Sequence, residues 1–173
     1  MFGPEDKVLQ RCKFGHEREP STAQGDQTTC SSNNGTWRPF TCKRAIAFKG
    51  SYYFVQNEQL SWIEAKEFCE SKSGFLVDIK TEEEQRFVES LIDAGSYPVG
   101  VWTGGNDLQT EGTFQWLDNT YISAGFMNWI GTNQGFSGNG GEDDCMHVSP
   151  KSMLYKWVDL DCSITIQSIC EFQ

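Results

Sequence analysis

The stretch Ser61-Trp62-Ile63-Glu64-Ala65-Lys66-Glu67-Phe68-Cys69 combines a helix start, an apolar face and a cysteine. Ser61 and Glu64 have capping-box spacing, in which each side chain satisfies a backbone N–H that a helix start leaves open. Trp62, Ala65, Phe68 and Cys69 then fall on one side of a 3.6-residue period. Gly74 is placed to end that helix. On the N-terminal side, Ala45 to Val55 is strand-like, with Phe48, Tyr52, Tyr53 and Phe54. On the C-terminal side, Phe75 to Ile79 reads as a short strand. Thr81-Glu82-Glu83-Glu84 is a second capping box, and Phe87, Val88 and Leu91 follow at core spacing. The three glutamates favour a helix start through the helix dipole. Further strands are expected at Val99–Thr103, Phe114–Trp116, Cys145–Val148, Tyr155–Asp159 and Ser168–Phe172. Residues 43–173 therefore read as one α+β domain. Leu117 to Asp143 shows neither period and includes Gly131, Gly135, Gly138, Gly140 and Gly141, and so long a loop in a compact domain is usually functional.

The whole chain has 173 residues, with 14 Lys plus Arg against 24 Asp plus Glu, a net charge of −10. That balance argues against nucleic-acid binding and against docking on anionic lipid, both of which need clustered cations. With 38% hydrophobic and 13% aromatic residues the chain can bury a core. No apolar run reaches the ~20 residues of a membrane helix, and Met1 to Gln10 lacks the apolar core of a signal peptide. The seven cysteines are Cys12, Cys30, Cys42, Cys69, Cys145, Cys162 and Cys170. None forms a C-x-x-C pair, so structural disulfides in an oxidising compartment are expected rather than zinc or redox chemistry. The odd count and the missing leader suggest a fragment of a longer extracellular chain.

Residues 1–42 differ from the rest: polar, turn-rich and too short to bury much core without cross-links. Lys7–Arg11 and Thr36–Arg38 have strand character, and Asn34-Gly35 is a turn dipeptide. Asn34-Gly35-Thr36 is also an N-glycosylation sequon.

The second domain resembles a C-type lectin-like domain over residues 44–173. The first-helix motif Trp62 to Cys69, Trp102-Thr103-Gly104-Gly105 running on to Glu111–Trp116, and Asn128-Trp129 carry the resemblance. Glu142-Asp143-Asp144-Cys145, Trp157-Val158-Asp159 and Cys170-Glu171 match the family's closing pattern. The resemblance implies two helices, small antiparallel sheets, a long loop, and disulfides Cys69–Cys170 and Cys145–Cys162. It implies the short form of the family, because no additional cysteine stands near Gly50-Ser51-Tyr52-Tyr53. Residues 1–42 resemble the end of a sushi (complement-control) module, whose second, third and fourth cysteines would be Cys12, Cys30 and Cys42. That implies Cys12–Cys42, with Cys30 unpaired because its partner would lie upstream of Met1.

In sugar-binding members a calcium ion beside the long loop is held by a triplet containing a cis proline and by an Asn-Asp pair. Here Thr132-Asn133-Gln134 stands in place of the triplet, and Val158 in place of the Asn. A cis bond without proline costs roughly 2.5–4 kcal/mol. The residues left to contact a ligand are Asn133, Gln134, Asp143 (or Glu142) and Asp159. The resemblance also places Asp107, Glu111 and Asp144 at an auxiliary calcium site, and Glu84 and Glu171 at a structural one between the second helix and the last strand. Glu84 also closes a capping box, and Glu111 is placed to fix a turn. Phe136 is either a partner anchor or a residue folded back on the domain.

His16 and His147 make no recognisable catalytic set, and there is no G-x-S-x-G elbow. Trp62, Trp102, Trp116 and Trp157 read as core. The expected function is extracellular, non-catalytic recognition or adhesion, with a glycan or protein partner and with calcium, if bound, acting structurally. The alternative is a calcium-dependent carbohydrate-binding lectin with a divergent site, and chelation of calcium distinguishes the two.

Overall fold

A computed structural model describes residues 45–95, 97–131 and 143–173, together with three short strands nearer the N-terminus. The chain divides into two units, at Ile46/Ala47. In the first unit β1 (His16–Arg18), β2 (Thr28–Ser32) and β3 (Phe40–Cys42) form an antiparallel sheet in sequence order. Its registers set Glu17 opposite Ser31 and Cys30 opposite Phe40. Cys12 and the Asn34 sequon lie outside the described residues, as do Asn133, Gln134, Phe136 and Glu142.

Among the described residues the second unit holds seven strands and two α-helices. The stretch expected as one strand from Ala45 is a hairpin, β4 (Ile46–Phe48) and β5 (Ser51–Leu60). Lys49 and Gly50 turn the chain with φ of 45° and 95°, the left-handed geometry that two-residue hairpins require. Helix α1 (Trp62–Ser71) starts on the expected capping box: Glu64 N–H donates to Ser61 Oγ at 3.4 Å, and Ser61 N–H to Glu64 Oε2 at 3.0 Å. It buries Trp62, Ala65 and Cys69. At its end Gly74 packs so tightly that a Cβ there would lie 2.5 Å from the Phe172 ring. After β6 (Phe75–Leu76) comes α2 (Glu82–Gly95), which buries Gln85, Val88, Leu91 and Ile92. Gln85 is tolerated inside because Oε1 accepts from Trp157 Nε1 at 2.7 Å while Nε2 donates to the Tyr155 carbonyl at 3.0 Å.

The remaining strands are β7 (Val101–Asn106), β8 (Cys145–Val148), β9 (Trp157–Leu160) and β10 (Ile166–Phe172). They correct the expectation of small antiparallel sheets. One sheet runs β4-β5-β10-β7-β8-β9, with β6 also on β10, and β10 pairs with β7 in parallel. Non-local pairing of this kind depends on how the C-terminal strand inserts between distant segments, which no local pattern encodes. Phe114–Trp116 is not a strand; Gln115 makes only isolated bridges to Asn106 and Tyr121. The β9 strand starts at Trp157 rather than Tyr155, because Leu154 and Tyr155 both have positive φ.

Two apolar clusters form the core. In one, the rings of Trp116, Phe126 and Trp129 stand edge-on around Trp157 at 5.6–5.7 Å, the arrangement that aromatic quadrupoles favour. The other packs α1 onto the sheet. Trp62, Trp102, Trp116 and Trp157 are all buried. Cys69–Cys170 ties α1 to β10, and Cys145–Cys162 ties β8 to the turn after β9.

Candidate functional site

The antiparallel pairing of β7 with β8 sets Asn106 opposite Cys145. The residues flanking that pair, Asp107 and Asp144, are thereby adjacent, and Asp107 N–H donates to the Asp144 carbonyl at 3.1 Å. The chain then turns back on itself over Leu108–Gly112. Thr110 N–H donates to the Asp107 carbonyl at 2.9 Å, and Gly112 N–H donates to Asp107 Oδ2 at 2.7 Å. Gly112 has φ of 73°, which suits a residue without Cβ. That turn brings Glu111 over the aspartates, and one carboxylate oxygen from each of Asp107, Glu111 and Asp144 lies within 4.8 Å of the others.

The electrostatics of this group are unfavourable as it stands. Asp107 is 3% exposed, and its Oδ1 has no hydrogen-bond partner among the described residues. Burial pushes its carboxyl up to about 6; the Gly112 N–H opposes that, and Glu111 and Asp144 add to it. A divalent cation fits this arrangement. Calcium takes 6–8 oxygens at flexible geometry, and three converging carboxylates, one with an orphaned oxygen, offer the charge and the oxygen donors it prefers.

The Glu84–Glu171 pair is arranged differently. Glu84 Oε2 accepts from Lys80 N–H at 2.9 Å and from Thr81 Oγ1 at 3.1 Å, closing the start of α2. Glu171 is buried in β10; its acidity is weakened first by burial and then by Glu84, while the nearby Ser51, Tyr53 and Asp78 N–H favour its charged form. Neither carboxylate has a buried oxygen without a partner. Glu84 is occupied as a helix cap, and the case for an ion is weaker here than at Asp107.

Asp159 is buried in β9 opposite Met146, and Val158 next to it faces His147 across the pair. The Val158 carbonyl contacts His147 Nδ1 at 2.9 Å, and burial lowers the pKa of His147 to about 4, so it is neutral at ordinary pH. Asp143 is half-buried and directly precedes Asp144. Asn128 leads into the long loop with its amide on the Tyr155 carbonyl at 3.1 Å and its oxygen taking Lys156 Nζ at 2.6 Å.

A family model described as Lectin C-type domain matches residues 58–172. The chain belongs to the C-type lectin domain family. Among curated proteins, this C-type lectin domain is 32% identical over 124 residues to C-type lectin domain family 4 member M of Nomascus concolor, covering 72% of this chain and 29% of that protein. It is 30% identical over 149 residues to human C-type lectin domain family 10 member A, covering 84% of this chain and 44% of that protein. The chain thus spans less than half the length of these relatives. Among solved structures, the cow C-type carbohydrate-recognition domain of CD23, determined in the presence of GlcNAc2Man3 oligosaccharide, superposes with a TM-score of 0.61 at 31% identity, covering 76% of this chain and 95% of that one. C-type lectin relatives are non-catalytic recognition proteins.

Two features of this C-type lectin domain escaped the sequence reading. Asp78 is a buried acid with an orphaned Oδ1; its signal was a charge inside the apolar run Phe75–Ile79. The carboxamides of Asn106, Gln109, Gln115 and Asn119 line one cleft, and nothing in their spacing announces it.

Proposed function

We propose that residues 44–173 are an extracellular, non-catalytic recognition domain whose long-loop region is organised by a structural calcium ion at Asp107, Glu111 and Asp144. Its glycan or protein partner is bound without direct calcium–sugar coordination. The observation that carries this reading is the unpartnered, buried Asp107 Oδ1 among converging carboxylates. Calcium would neutralise their repulsion and stabilise the folded state by mass action. The degenerate ligand set supports the second half: Val158 offers no side-chain oxygen, and Thr132-Asn133-Gln134 contains no proline. Asn133, Gln134, Asp143 and Asp159 are the side chains proposed to meet the partner. The two disulfides and the family support an extracellular site, and no helix among the described residues is long and apolar enough to cross a membrane. In the same reading, residues 1–42 are part of a sushi module with Cys12–Cys42 bonded, Cys30 free and Asn34 glycosylated.

Melting curves in millimolar calcium and in EGTA test the ion, and a glycan array with the same two buffers tests the coordination. The melting temperature is expected to rise with calcium and the rise to shrink in Asp107→Asn, while array signals are insensitive to EGTA. Superimposed melting curves remove the calcium site. Monosaccharide binding lost both in EGTA and in Asp159→Ala establishes the calcium-dependent lectin instead.

A further inference from the structure

On the face formed by the first turn of α1 and the segment 106–119 lies a cleft of about 360 Å³, within the range of small-ligand sites. It is separate from the acidic group, although Asn106 adjoins Asp107. Four carboxamides line it: Asn106, Gln109, Gln115 and Asn119. Two of these are deeply set. Gln115 is 7% exposed and Asn106 is 6% exposed. The backbone of Gln115 is fully committed, with its N–H on the Asn106 carbonyl at 2.8 Å and its carbonyl accepting Asn106 N–H at 2.9 Å. Its side-chain amide lines the cleft. Asn106 Nδ2 donates to the Gly104 carbonyl at 3.1 Å and to the Gln115 carbonyl at 3.5 Å. These carboxamides stand on the wall of the cleft, where the polar groups of a ligand can reach them.

We infer that this cleft is a calcium-independent subsite for a neutral saccharide. The inference rests on the reading that the domain recognises glycans. A carboxamide offers a donor and an acceptor side by side, which matches adjacent sugar hydroxyls. The rim supplies apolar contact for a ring face through Ile63, 46% exposed, and Leu108, 49% exposed. Charge selects against anionic sugars: the only cation in the lining is Lys66, held by Glu70 at 2.7 Å, and the chain carries −10 overall. The small volume selects one or two sugar rings over an extended peptide.

The test uses the full chain, isotope-labelled, in EGTA, titrated with methyl glycosides of mannose, galactose, glucose and N-acetylglucosamine and followed by NMR. The expected result is saturable shifts of the Gln115 and Asn119 side-chain amides with at least one glycoside. Gln115→Met, which keeps the volume but removes both bonds, is expected to weaken binding about tenfold, and Leu108→Trp to block it sterically with the melting temperature unchanged. Binding unaffected by both variants, or shifts confined to residues 128–131 and 143–160, overturns the cleft while leaving glycan recognition intact. No shift with any of the glycosides overturns it too, and the array in both buffers then reports separately on the domain.

Discussion

Asp78 sits where the surrounding residues are apolar, and burial pushes its carboxyl up to about 7 despite Lys80 Nζ at 3.3 Å, with Asp118 and Glu171 adding to the rise. The ordinary value is 3.8. The folded state therefore holds this proton over a pH range in which the unfolded chain has released it. The stabilising contribution is complete below 3.8 and is lost as pH rises through about 7. Asp78→Asn keeps the shape without the charge, so its melting temperature is expected to exceed the wild type most at about pH 8 and to match it only below 3.8, read by scanning calorimetry in EGTA. His147 has the opposite sign. Its value falls from 6.5 to about 4 because burial disfavours the imidazolium. Its contribution is present above 6.5 and lost as pH falls through about 4, so the denaturant midpoint is expected to drop across that window, with a shallower drop in His147→Gln. His147 was noted in the sequence and Asp78 was not, and the titration of each depends on which neighbours exclude water.

At the level of elements, the two helices were the most legible part. Each start depends on a side chain and a backbone group three residues apart, a ring that closes without help from the rest of the fold. Ser61→Ala is expected to cost about 1 kcal/mol, measured by urea denaturation. Strand limits were less legible, for identifiable reasons. Lys49-Gly50 divides the stretch expected as one strand, because both residues adopt the positive φ of a hairpin turn. Phe114–Trp116 has a strand's composition but is held mainly by Gln115 bridging to Asn106 and Tyr121, and its aromatics serve the core around Trp157. The acidic residues matched to calcium positions split in the same way. Glu84 was visible as a cap and acts as one, whereas the grouping of Asp107 with Asp144 exists only through the β7–β8 register.

Across the whole molecule, β10 is the organising strand: it pairs with β5, β6 and β7 and carries both Cys170 and Glu171. Cys69–Cys170 spans 101 residues and Cys145–Cys162 spans 17. On chain-entropy grounds the longer loop restrains the unfolded state more, about 4.7 against about 3 kcal/mol. The Cys69→Ala/Cys170→Ala pair is therefore expected to lower the urea midpoint further than Cys145→Ala/Cys162→Ala. Capping boxes, helix faces, the oxidising context and the missing proline after Trp129 could all be read along the chain, because each depends on residue chemistry or on neighbours within one turn. The parallel β7–β10 pairing, the orphaned oxygens of Asp107 and Asp78, and the amide-lined cleft at Gln115 could not. Each arises when segments far apart in sequence meet and exclude water, so that register and desolvation, rather than local propensity, set the chemistry.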